Sequence, residues 1–409
     1  MPAGVNTDYL VNMLTLRYSP TGKPLIRKRS WRDFTPSEAK SPQKTTEDLI
    51  SNEVRRKVEE AKPRGVSIGL SGGVDSTLVL SIIRNIYPSL PITAASVTFS
   101  DEMDESDEAR RIAELFDCDS RVVSVENPLK DLKRLITMVG EPRWNLYFYY
   151  VIQEAGRHNH LMLTGDGGDE LFEGYTFRYK KFSESVGRTS GWTERAALYV
   201  SCHERDWVPD QEKMFGHAIR FDWQKIYSMF REFFDNPLDP LSQVFLADFD
   251  GKLLFDWVPA NTHMYSNLGV DGFAPLLQEP VIDFATHIPP GMKYNPVSGE
   301  GKLILRNILK NHGVEVRGGK RGFGMDLPTL WRRYGKDEVS NSLSDDSMIF
   351  TSELVSRDWF LRATRHIEAT MDPRYINKML GLLALEFWLN SGQSSKRSDD
   401  RRGQILKVE

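Results

Sequence analysis

Ser71, Gly72, Gly73, Val74, Asp75 and Ser76 are the residues of this chain best suited to chemistry by type and spacing. They stand between an apolar run, Val66 to Leu70, that reads as a buried strand and a second, Thr77 to Ile83, that reads as a helix. Adjacent glycines let the backbone curl around an anion, and the helix start turns its N–H groups and positive dipole end toward the same point. Ser71 and Ser76 add hydroxyl donors, and Asp75 is a carboxylate suited to Mg²⁺. The loop carries no lysine, unlike the cradle ending Gly-Lys-Ser/Thr, so the neutralising charge must come from metal and from elsewhere in the chain. A plain glycine turn is the alternative, and the full hexapeptide between strand and helix argues against it.

A second such stretch, Gly165-Asp166-Gly167-Gly168-Asp169-Glu170-Leu171-Phe172-Glu173-Gly174-Tyr175, follows the apolar residues Leu161 to Thr164. Its clustered carboxylates are costly unless they meet cations. Read alone, it fits equally an acidic helix start in which Asp169 and Glu170 complement the dipole. Beside the first loop it reads differently: Asp75 and Asp169 could share Mg²⁺ and hold a triphosphate in line for attack at its α-phosphorus.

The elements that must position these loops alternate from residue 66 to 164. Strands are predicted at 66–70, 92–98, 121–125 and 160–164, with helices at 77–86, 106–116, 128–138 and 145–157. Short apolar strands separated by helices imply an α/β fold with a doubly wound parallel sheet, whose ligands bind at the carboxyl ends of the strands. A charged helix over 46–61 leads into it. Residues 1–45 read as an arm or hairpin, 46–175 as the ATP-binding core, 176–390 as a helical substrate-side region without further strands, and 391–409 as a polar, mobile tail. The acidic residues Asp101 to Glu105 read as a solvated loop and helix start.

Composition narrows the class further. At 409 residues two domains are the prior, and 40% hydrophobic with 27% charged residues is globular usage. A net charge of -4 and the lack of a basic extension argue against nucleic acid as partner. Cys118 and Cys202 are isolated, and His158 with His160 suits a helix end better than a metal. No apolar run is long enough for a membrane span, so a cytoplasmic, reducing location is expected.

The first hexapeptide resembles the signature of PP-loop ATP pyrophosphatases, and the two loops together resemble the synthetase domain of the asparagine synthetase type. Later landmarks of that family recur in order: Pro275-Leu276-Leu277, Val281 to Ala285, Gly299-Glu300-Gly301-Lys302, Leu305-Arg306, and Lys320 to Gly324. Relatives of the family include β-lactam-forming synthetases and lasso-peptide cyclases. The resemblance implies a PP-loop, HUP-like fold and an AMP-forming carbon–nitrogen ligase. Such an enzyme uses ATP and Mg²⁺ to adenylate a carboxylate, releases pyrophosphate, and passes the acyl group to ammonia or an amine. It places ATP and pyrophosphate on Leu70, Ser71, Gly72, Gly73, Asp75, Ser76, Val97, Thr164 and Gly165, and metal on Asp75 and Asp169. Lys302 becomes the cation at the adenylation centre, which a lysine-free loop needs; Glu141 and Asp166 attend the nucleophile. Asp166 stands where many members carry glutamate and is one methylene shorter.

The chain also departs from that family. Pro2 follows Met1 where the catalytic cysteine of a glutaminase domain would stand, so the resemblance implies that this domain is missing and that nitrogen arrives as ammonia, as an amine, or from a separate glutaminase subunit. Tyr18 to Trp31 reads as the closing hairpin of the missing domain. Trp144, Asn145 and Tyr147, with Phe273 in place of an arginine, form the expected substrate pocket and favour a larger or more aromatic carboxylic acid, small-molecule or peptide, over aspartate. Two other readings remain: a PP-loop enzyme activating an RNA base, and a non-catalytic nucleotide-binding relative.

Overall fold

Five short strands form one sheet, all parallel, in the spatial order β3-β2-β1-β4-β5. The structure is a computed structural model that describes residues 5–38, 40–99, 105–187, 190–203, 205–316 and 325–392. In chain order the elements are helix α1 (Thr7–Leu16), α2 (Pro42–Ala61), strand β1 (Val66–Gly69), α3 (Val74–Ile86), β2 (Ile92–Thr98), α4 (Glu105–Leu115), β3 (Asp119–Ser124), α5 (Leu132–Val139), α6 (Phe148–His158), β4 (Leu161–Leu163), α7 (Gly168–Leu171) and β5 (Asp271–Phe273). Strands β1, β2 and β4 are almost wholly buried, which is why they read as continuous apolar runs rather than alternating ones. Helix α6 lies across the sheet, and α2 and α3 pack together with the later helix Leu303–Asn311.

The α/β architecture agrees with the expectation, and two parts of the chain differ from it. Strand β5 lies inside the region read as helical, where it pairs Leu161 with Asp271 and Leu163 with Phe273. Three residues, one of them Gly272, are too few to show a periodicity of two. The N-terminal arm carries helix α1, whose apolar face packs on the buried helix Pro373–Asn390, and Tyr18 to Trp31 form irregular chain rather than a hairpin. Ion pairs hold that arm down: the buried Arg29 guanidinium meets Glu279 at 2.6 Å and Asp283 at 3.0 Å, and its backbone N–H donates to Asp250 at 2.8 Å. The segments Asp101–Asp104 and Lys320–Gly324 and the tail from residue 393 lie outside the described residues. Among the described residues no helix is long and apolar enough to cross a membrane.

The carbonyl of Leu14, at the end of α1, accepts hydrogen bonds from the Lys378 ammonium and from Gln211. Burial pulls the pKa of Lys378 down to about 8, against the opposing charge of Asp206. In the unfolded chain it returns to about 10.4, so between these values the unfolded state binds a proton that the folded state has released. Stability carried by this group therefore rises as pH rises from about 8 toward 10. Substituting Lys378→Met should flatten that rise by up to about 3 kcal/mol, which thermal melts of the two proteins across this pH range would measure.

Candidate active site

The first loop forms because β1 ends against β2, where the Leu70 N–H donates to the Ala95 carbonyl at 2.9 Å, and α3 begins four residues later. Ser76, in the first turn of α3, reaches back: its hydroxyl lies 3.2 Å from that of Ser71 and accepts from the Ser71 N–H at 3.3 Å. The Gly73 N–H donates to the Ser71 hydroxyl at 3.3 Å, which completes a tight ring of donors at the helix start. Val97 is buried at the carboxyl end of β2, paired with Val123.

The second loop leaves β4 beside the first, since β1 and β4 are neighbours in the sheet. Contact is close enough that a Cβ at Gly165 would fall 2.6 Å from the backbone of Asp75 and Ser76. At Gly174 a Cβ would overlap the Asp169 carboxylate and the Lys302 side chain. These glycines are needed because two loops and a lysine converge on one point. Thr164 anchors the strand end by donating its N–H to the Phe273 carbonyl at 3.0 Å.

Lys302 arrives from far along the chain. It caps the helix Leu303–Asn311 in the left-handed region (φ 58°), with its N–H on the Phe172 carbonyl at 2.9 Å. Such a conformation costs a side-chain-bearing residue about 1 kcal/mol. The strain is held from both sides. Leu303 bonds to the Lys293 carbonyl at 3.0 Å, and the buried Lys293 ammonium pairs at 3.0 Å with Glu173 of the second loop. The Lys302 ammonium, 8% exposed, bonds to the Asp75 carboxylate and lies 2.7 Å from that of Asp169. Burial lowers its pKa, but Asp169 and Asp75 outweigh burial and leave it raised, so the lysine is charged.

Two carboxylates sharing one cation at the starts of α3 and α7 are a donor set that fits Mg²⁺, with the ammonium standing in for the metal. Among the described residues no group of three or more acidic, His or Cys side chains gathers to hold a metal. Asp75 and Asp169 would therefore hold it jointly with phosphate oxygens and water, in the manner common for Mg²⁺.

Asp166 is half-buried and accepts from the Thr164 hydroxyl at 3.0 Å. Burial pushes its pKa up and Asp75 adds to this, against hydrogen bonds from Trp257, Thr164 and Asn261. Glu141 is buried in an ion pair with Arg143, which also pairs with Asp256. Asp256 in turn lies 3.4 Å from Arg17, and Arg17 lies 3.2 Å from Asp206. Tyr147 adjoins this network, with its ring against Phe99 and Trp144, and the Trp144 indole donates to Asn377 at 2.8 Å. Asn145 is half-buried beside them. Phe273, the last residue of β5, has the cations of Arg56 and Lys57 of α2 over its ring at 5.9 and 5.7 Å.

One wall of the site escaped the sequence reading. Residues Asp248–Trp257 form a π-helix, a geometry that often marks functional sites, and it brings Asp256 to Arg143 and Trp257 to Asp166. Lys252 of the same segment lies 4.7 Å over the Tyr175 ring, and burial pulls its pKa down to about 8. A signal was present: an aspartate inside Leu253-Leu254-Phe255-Asp256-Trp257 is a carboxylate in an apolar run, which demands a partner.

Replacing Lys302 with methionine would leave two part-buried carboxylates facing each other without their cation, at a cost of about 3 kcal/mol. Lys302→Met should therefore melt well below the wild type at neutral pH and recover when millimolar Mg²⁺ is added, whereas the nucleotide-free wild type should respond little. Differential scanning fluorimetry with and without Mg²⁺ checks this.

Comparison with known proteins gives this geometry its family. Residues 45–390 match the family described as asparagine synthase. The chain is 24% identical over 363 residues to asparagine synthetase [glutamine-hydrolyzing] 1 of Bacillus subtilis, a match covering 78% of this chain and 56% of the relative. Against a putative asparagine synthetase [glutamine-hydrolyzing] of Mycobacterium bovis it is 28% identical over 214 residues, 46% of this chain and 33% of the relative. Against the NH(3)-dependent NAD(+) synthetase of Carboxydothermus hydrogenoformans it is 29% identical over 151 residues, 31% of this chain and 61% of the relative. The chain thus spans about half the length of the first of these relatives. With most of its length matched, from α2 through the last described helix, the chain belongs to the asparagine synthase family.

Proposed function

We propose that this chain is an ATP-dependent amidoligase: it adenylates a carboxylate, releases pyrophosphate, and transfers the acyl group to ammonia or an amine. The observation that carries the reading is the junction of Asp75, Asp169 and Lys302, which puts two metal-suited carboxylates and one buried cation at the mouth of a phosphate-sized loop. Both α3 and the helix Leu303–Asn311 begin there, so two positive dipole ends support the same anion. The names of the relatives support the reaction class, as asparagine synthetases and NAD(+) synthetases both join nitrogen to an acyl group.

In the first step a substrate carboxylate oxygen attacks the α-phosphorus, and the bond to the β-phosphate oxygen breaks with its electron pair leaving on pyrophosphate. Backbone N–H groups of the glycine turn after Leu70 and the hydroxyls of Ser71 and Ser76 hold that leaving group, and Thr164 and Gly165 close the opposite side. Bound Mg²⁺ supplies charge neutralisation for the triphosphate. Lys302 trades its two carboxylates for the α-phosphate, where negative charge grows. Adenine lies along the end of β2 near Val97.

In the second step an amine attacks the acyl carbon, AMP departs, and one proton must leave the nitrogen. Asp166 suits that proton, being a carboxyl with raised proton affinity on the rim facing Asp75. Glu141, clamped by Arg143, orients the nucleophile. Trp144 and Tyr147 line the acyl side. With Phe273 where the family has an arginine, a larger or more aromatic carboxylic acid is favoured over aspartate. Free ammonia, an amine, or a glutaminase on a separate chain supplies the nitrogen.

ATP–pyrophosphate exchange with a panel of carboxylic acids, with and without ammonium, tests this reading. One acid should support exchange; failure of every acid in protein that binds Mg²⁺ and ATP would overturn the stand-alone ligase. With the active acid in hand, Asp166→Asn should leave exchange within a few-fold of wild type while amide formation falls by about 10²-fold or more.

A further inference from the structure

Behind the catalytic cluster, on the buried side of the two helices that begin there, the imidazole of His312 bridges two partners. Its Nδ1 lies 2.7 Å from the hydroxyl of Ser81, and its Nε2 lies 2.8 Å from the carboxylate of Glu47. Ser81 is fully buried in α3, six residues beyond Asp75 on the same helix. His312 ends the helix that Lys302 starts, and Glu47 belongs to α2, which packs on both. An ionised carboxylate only accepts, so Nε2–H donates to Glu47, and in the neutral imidazole Nδ1 accepts the Ser81 hydroxyl proton. A serine with no exposed surface cannot meet a substrate, so this Ser-His-Glu arrangement is not a hydrolytic triad.

We propose that His312 is a positioning residue for Lys302: through Ser81 and Glu47 it locks the lysine's helix against the helix of Asp75, so that the ammonium meets both carboxylates. The two helices are joined at one end by the Lys302–Asp75 pair and at the other by the His312–Ser81 bond. A nine-residue helix is a stiff rod of about 14 Å. Holding its far end fixes its rotation about its own axis, and that rotation decides where the first side chain points. The apolar face of the helix (Ile304, Leu305, Ile308, Leu309) turns one stripe to the core and so sets the rotation coarsely; a hydrogen bond, with its narrow angular preference, refines it. The bridge supplies direction. It also lets Lys302 change partners when nucleotide arrives by moving its side chain alone, with the helix held in place. The inference rests on the ligase reading only for what Lys302 does, not for where the helix holds it.

The test uses the full chain without nucleotide. Trace acetic anhydride competes for lysine amines, and mass spectrometry reads the labelling rate of Lys302 relative to an exposed lysine. His312→Ala, and Ser81→Ala, which removes one arm while keeping the helix packed, should each speed Lys302 labelling roughly tenfold, the equivalent of one pKa unit of lost pairing. Glu47→Gln keeps an acceptor for Nε2 and should label near the wild-type rate. Ile308→Val loosens the same helix without touching the bridge and should also leave the rate unchanged. Wild-type labelling in both alanine variants, or an equal rise in Ile308→Val, would overturn the proposal. Failure of the ligase reading would appear separately, as wild-type protein that binds Mg²⁺ and ATP yet shows no pyrophosphate exchange with any acid.

Discussion

A buried ammonium shared by two carboxylates is the contact on which the arrangement of this protein depends. Lys302 bonds to Asp75 at the start of α3 and to Asp169 at the start of α7, and the three positions come from three separate parts of the chain. Neither carboxylate could be left part-buried without a cation, and the ammonium could not be buried without them. The glycines of both loops follow from that constraint, because the three groups meet only where side chains are absent between them. The left-handed backbone of Lys302 follows too, since the strained cap aims the side chain back at the loops.

Around this contact the structure builds two walls of different character. The sheet side is rigid and apolar: β1, β2 and β4 are buried, and α6 covers them. The other side is a chain of charges, Glu141, Arg143, Asp256, Arg17 and Asp206, buried except for the half-buried Arg17, in which each cation stands between two anions. Such a network sets geometry more than it adds stability, because desolvation offsets most of the attraction. Arg17 has a particular place in it. The residue lies before the start of the family match at residue 45, yet its guanidinium holds Asp256, the partner of Arg143. The N-terminal arm is part of the site's architecture, fastened by α1 on one side and by Arg29 on the other.

What was legible in the sequence was local. Strand, glycine loop and helix follow one another within twenty residues, and their apolar runs and turn residues state the element type without reference to the rest of the fold. The carboxylates within those loops were legible for the same reason. The π-helix was not: its residues were read only as part of a helical region, and a pattern of apolar and polar residues does not distinguish this wider winding from an α-helix. Strand β5 was hidden because three residues carry no period, and it exists because β4 offers a free edge.

The sequence by itself determined the α/β order of elements, the two loops and the residue types able to hold phosphate and metal, since these depend on neighbours a few positions away. Only the tertiary structure decided which of them meet. Lys302 reached Asp75 across 227 positions, Glu141 was claimed by Arg143, and the ring of Phe273 met the cations of α2. Side-chain direction at such range is set by how whole helices dock on the sheet, and a linear pattern of apolar and polar residues does not encode that rotation.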